Sequence, residues 1–93
     1  MYARVARFEG AGPGVLARVA DEIRGSTEPP PGVPAKGFMM LTDENGASVS
    51  IAFFETEDDL RTGNAALNDM TPSEDGGHRV SLENYEVAVD IRL

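Results

Sequence analysis

Apolar residues in this chain recur at two different periods. The order in which the periods alternate constrains the fold more than anything else in the sequence. From Tyr2 to Glu9 the pattern has the two-residue period of a strand. Tyr2, Ala6 and Phe8 share a face with Arg4, while Ala3 and Val5 share the other with Arg7. Gly10-Ala11-Gly12 breaks it. Pro13 suits the first turn of a helix, where a missing N–H costs nothing. Leu16, Val19, Ala20 and Ile23 follow at helical spacing, with Arg18, Asp21, Glu22 and Arg24 turned outward. Gly25 is the natural C′ stop.

Ser26 to Lys36 holds four prolines and a glycine and reads as a stiff, extended spacer across the sheet. Phe38 to Thr42 is a continuous apolar run, as in a strand covered on both faces. Asp43-Glu44-Asn45-Gly46 signals a hairpin, because Asn-Gly tolerates the positive φ of a tight turn. Ala47 to Glu55 is the return strand. Val49, Ile51 and Phe53 lie on one face; Ser48, Ser50, Ala52 and Phe54 lie on the other. Either phenylalanine can be the one that meets the helices.

Thr56 is a candidate N-cap, and Glu57, Asp58 and Asp59 occupy the first turn, where carboxylates favour the helix dipole. Leu60, Leu67 and Met70 share a stripe of this second helix, with Asn64 between Leu60 and Leu67 where a core residue is expected. Thr71-Pro72-Ser73 ends the helix, and Glu74 to Gly77 is a polar connection. Arg79 to Leu93 closes the chain as strand, with Tyr85, Val87, Val89, Ile91 and Leu93 on one face.

The order is β-α-β-β-α-β. It specifies one α+β domain over residues 1–93, a ferredoxin-like four-stranded antiparallel sheet with two helices on one face. Apolar side chains nevertheless point both ways from the strands. A bare apolar face is unusual on a monomer, so the pattern predicts a homodimer packed through the uncovered faces. A second copy also relieves the size problem, since so short a chain alone buries only about 60–65% of its surface.

Composition narrows the functions. No cysteine and a single histidine exclude disulfides, thiolate metal sites and a two-histidine metal site within one chain. Sixteen acidic residues against eight basic ones give a net charge of −8. That disfavours nucleic acid, whose affinity comes largely from Lys and Arg on phosphates, and anionic membranes. No apolar run approaches the roughly 20 residues of a membrane span, and no signal peptide opens the sequence, so a cytoplasmic location is expected.

Four motifs carry a resemblance. YARV-x-x-FEG opens the chain, PG-x-P-x-KGF-x-x-L and a DENG hairpin follow the first helix, and S-x-S-I-x-F-x-E-T-E-x-DL-R leads into the second. Together with the valine-rich closing strand, they resemble small antibiotic-biosynthesis-monooxygenase-like proteins of the dimeric α+β barrel group. The resemblance implies a dimeric α+β barrel with a ligand cleft between sheet and helices. It further implies a cofactor-independent monooxygenase acting on an aromatic polyketide or quinol. In such proteins the second helix often carries an asparagine followed four residues later by a tryptophan. Asn64 matches the asparagine; Asn68 stands where the tryptophan would, and this chain has no tryptophan.

The candidate catalytic group is therefore Asn64, and the candidate ligand-binding residues are Asn64, Asn68, Phe54 and Tyr85. An asparagine on an apolar helix face must find partners, which a polar ligand, a backbone carbonyl or water can supply; Gly63 beside it can simply permit close packing. Tyr85 can hydrogen-bond a phenolic substrate or open a strand with its ring half buried. His78 reads as an exposed loop or strand-start residue. No metal and no cofactor are called for. The alternative function is a non-catalytic homodimer that binds a small molecule or a partner protein.

Overall fold

The computed structural model describes residues 1–26, 28–70 and 77–93. The elements run β1 (Tyr2–Glu9), α1 (Val15–Arg24), β2 (Gly37–Thr42), β3 (Ser48–Phe54), α2 (Glu57–Asn68) and β4 (His78–Glu86). The four strands form one antiparallel sheet in the order β2-β3-β1-β4. This is the ferredoxin-like α+β arrangement that the alternating periods specify. The expected helix stop at Thr71-Pro72-Ser73 and most of the following connection lie outside the described residues.

Strand register fixes the two faces of the sheet, because directly opposed residues point the same way. Tyr2 opposes Phe54 and Arg4 opposes Ala52; Phe38 opposes Ala52 and Met40 opposes Ser50. These residues face the helices. Phe53 opposes Ala3 and Gly37 and faces away, as do Ile51, Val49, Met39 and Leu41. Phe54, not Phe53, therefore meets the helices. It is fully buried, in a core with Val33, Ala52 and Leu60.

Local chemistry explains most boundaries. The Thr56 hydroxyl accepts from the Asp59 amide at 3.1 Å and starts α2. At the β2–β3 hairpin, the Asp43 carboxylate accepts from the amides of Asn45 and Ala47 at 2.8 and 3.0 Å. Gly46 there has φ 83°. It also lies so close to the β1–α1 loop that a Cβ would fall 2.5 Å from the Ala11 carbonyl oxygen, so both its conformation and its space require glycine.

Five expectations need correction. Pro13 lies before α1, which starts at Val15 behind an N-cap Gly14 with φ 75°. Gly25 ends α1 as expected but stays right-handed, its amide donating to the Asp21 carbonyl. The proline segment is more than a spacer: Val33 is 5% exposed and plugs the core, and the Lys36 amide bonds the Phe53 carbonyl at 2.7 Å. β2 is not covered on both faces, since Phe38, Met39 and Leu41 are exposed in the single chain.

The last correction concerns the C-terminus. β4 ends at Glu86, and residues 87–93 form no strand. The Val87 amide donates to the Met1 carbonyl at 2.9 Å, beyond which Val89, Ile91 and Leu93 stand exposed. The alternation of this tail is strand-like, but nothing among the described residues lies beside it to complete a ladder. Among the described residues, no helix is long and apolar enough to cross a membrane.

Candidate functional site

The helix-facing side of β1 carries one residue that does not belong in an apolar core. Arg4 lies between Tyr2 and Ala6 on that face and is 7% exposed. A buried guanidinium must have its donors satisfied, and α2 supplies the acceptors. Arg4 Nε donates to Asn64 Oδ1 at 2.8 Å, and Arg4 Nη2 donates to Asn68 Oδ1 at 3.0 Å. Asn64 and Asn68 are one helical turn apart, so both amides meet the same side chain. The acceptor oxygen of Asn64 is thus met by an arginine from β1.

Asn68 has a second donor. Arg79, near the start of β4, donates from Nη1 to the same Oδ1 at 2.9 Å. The bulge in the β1–β4 pairing between Arg7 and Phe8 sets Arg79 opposite Phe8, which turns its side chain to the helix side. Two guanidiniums consequently converge on one amide oxygen. Burial, and then the charge of Arg79, hold the Arg4 guanidinium below its ordinary pKa.

These groups close one end of an open cleft of about 500 Å³ between α2 and the sheet, whose apolar walls include Ala6, Phe8, Leu67 and Met70. A wider groove of about 990 Å³ adjoins it through Phe38, Ala52 and Leu67 and runs beneath α1 and the proline segment. The groove exists because α1 sits loosely: Val15 is its only buried residue, and Ile23 is 37% exposed.

Of the four residues picked from the sequence, the structure brings two together at this cleft. Asn68 lines it, and Asn64 holds Arg4 from behind. Phe54 is adjacent but sealed beneath α2, its ring against Gly63, so it is core and not lining. Tyr85 opposes Ala3 and therefore sits on the opposite face of the sheet. Its hydroxyl donates to Glu83, which raises the phenol above its usual pKa. His78 is exposed and is the first residue of β4, paired with Glu9. The acids Glu57 and Asp58 pair with Arg61 at 3.2 and 3.0 Å. Among the described residues, no group of three or more His, Cys, Asp or Glu is placed to hold a metal ion.

Sequence reasoning missed Arg4 and Arg79. The signal for Arg4 was present, a charge set into an otherwise apolar strand face with Tyr2, Ala6 and Phe8. Arg79 gave none, because the bulge that aims it leaves no mark in the pattern.

No protein-family model matches the chain, and neither a curated protein nor a solved structure matches it.

Proposed function

We propose that this chain binds a small aromatic molecule in the cleft between α2 and the sheet, and that it does so as a homodimer. The cleft carries the reading: apolar walls from Phe8, Leu67 and Met70 lead to a polar end made by Asn68 and two arginines. Mostly apolar walls with a few convergent polar groups, in roughly 300–1,000 Å³, are the usual make-up of a small-molecule site. The homodimer is supported by the bare sheet face, where Met39, Leu41, Ile51 and Phe53 have no helix over them, and by the apolar tail at residues 87–93. A second copy covers the face and offers the tail a strand edge. The test is an amide-resonance titration with a naphthoquinol. Shifts confined to Ala6, Phe8, Leu67, Asn68 and Met70 support the reading; shifts elsewhere, or none, overturn it.

A catalytic reading rests on the same cleft and on Arg4. A guanidinium beside apolar walls favours a substrate anion electrostatically, and an electron-rich aromatic anion can react with oxygen without a bound cofactor. For an anthrone, one oxygen atom would enter the reacting carbon as a carbonyl and the other would leave as water. This is the antibiotic-biosynthesis-monooxygenase-like activity that the sequence motifs suggest, with Asn64 positioning Arg4. Oxygen uptake with a panel of anthrones and naphthoquinols, without added cofactor, tests it. Enzyme-dependent uptake that falls at least about tenfold in Asn64→Ala, ~1.4 kcal/mol of barrier, supports the oxygenase. Uptake at the uncatalysed rate across the panel leaves the binding protein.

A further inference from the structure

Among the described residues, the polar end of the cleft carries positive charge without a carboxylate. The chain as a whole is strongly acidic, with a net charge of −8. Yet the described lining beneath α2 contains two guanidiniums, Arg4 and Arg79, and no carboxylate. Both donate to one neutral oxygen, Asn68 Oδ1, at 3.0 and 2.9 Å. Neutral amides satisfy hydrogen bonds but leave the charge uncompensated.

Donor bookkeeping points the same way. A guanidinium has five N–H donors. The protein engages Arg4 through Nε and Nη2, and Arg79 through Nη1. Arg4 Nη1 has no hydrogen bond to a described residue, and it is not among the buried atoms sealed off without a partner. Arg4 is part of the cleft lining. Two like charges side by side at the edge of an apolar site are costly, and the cost falls when an anion sits between them. Burial first, and then the charge of Arg79, hold the Arg4 guanidinium below its ordinary pKa.

We propose that Arg4 and Arg79, bridged by Asn68, form an anion site, and that the ligand of this cleft is an aromatic molecule bearing a single oxyanion such as a carboxylate. This rests on the binding function proposed above and specifies its substrate class. The apolar walls take the ring, and the arginine forks take the oxyanion by charge-assisted hydrogen bonds. One negative charge suits the site better than several, because the acidic remainder of the chain repels polyanions.

The experiment compares 2-naphthoate with its neutral isostere 2-naphthamide by calorimetry, on wild type, Arg79→Gln and Arg61→Gln. Arg79 is solvent-exposed, so its replacement leaves the core intact, and Arg61 pairs with acids away from the cleft. The expected result is naphthoate binding at least about tenfold tighter than naphthamide, ~1.4 kcal/mol. That preference collapses in Arg79→Gln, persists in Arg61→Gln and weakens with added salt. Equal binding of the two, or a preference that survives Arg79→Gln, overturns the anion site while leaving the aromatic-binding function standing. No binding of either compound overturns both.

Discussion

Gly63 of α2 lies directly over the Phe54 ring of β3: a Cβ on Gly63 would fall 2.3 Å from Phe54 Cε1 and 2.6 Å from Cζ. Phe54 has no exposed surface, so its ring cannot retreat into solvent. Glycine in a helix interior ordinarily costs about 1 kcal/mol relative to alanine. Here it sets how closely α2 approaches the sheet, and thereby places Asn64 and Asn68 within reach of Arg4.

Gly63→Ala is expected to destabilise the chain despite the better helix propensity of alanine. Overpacking typically costs about 1–3 kcal/mol, which exceeds the propensity gain. Urea unfolding reads the effect as a lower midpoint at unchanged slope. A raised midpoint would show that α2 can slide outward freely, and the close approach would then have no structural consequence.

Arg4 and Asn64 should behave as a coupled pair. Asn64→Ala strands the Arg4 Nε donor in a nearly buried site, at about 1–3 kcal/mol. Arg4→Met removes the demand for an acceptor. The double variant should therefore lose less than the sum of the two single losses, with a coupling of about 0.5–3 kcal/mol. Strict additivity in a double-mutant cycle would mean that the 2.8 Å hydrogen bond adds nothing in solution.

Thr56 gives a cleaner and more local measurement. Its hydroxyl caps α2 through the Asp59 amide, so Thr56→Ala should cost about 0.5–2 kcal/mol. Thr56→Ser should keep most of that stability. Equal loss in both variants would point to the Thr56 methyl, not the cap, as the stabilising group.

Ile51→Lys tests the homodimer. Ile51 sits mid-strand on the face turned away from the helices, opposite Val5 and Met39. A lysine there buries a charge if two bare faces meet, and is harmless if they do not. Sedimentation equilibrium should find a dimer for the unaltered chain and a monomer for Ile51→Lys, with the far-ultraviolet dichroism of the fold retained. An unaltered chain that sediments as a monomer would sink the proposed dimer.

Periodicity and turn chemistry determined the fold. Alternation placed β1 and β3, the Asp43–Gly46 sequence placed the hairpin, and Thr56 with its three following acids placed the start of α2. These signals are local, each acting within a few residues, so sequence alone displays them. It also singled out Asn64 as a polar residue on an apolar helix stripe. What only the tertiary structure decided depends on contacts between residues far apart in the chain. Register chose Phe54 over Phe53 for the core and sent Tyr85 to the opposite face. A loop residue, Val33, entered the core from a segment whose prolines suggest only a spacer. The partner of Asn64 lies sixty positions away, and Arg79 reaches the cleft through a bulge. A guanidinium's charge is visible in the sequence; whether another cation or an acid stands beside it is settled only by how the strands and α2 pack.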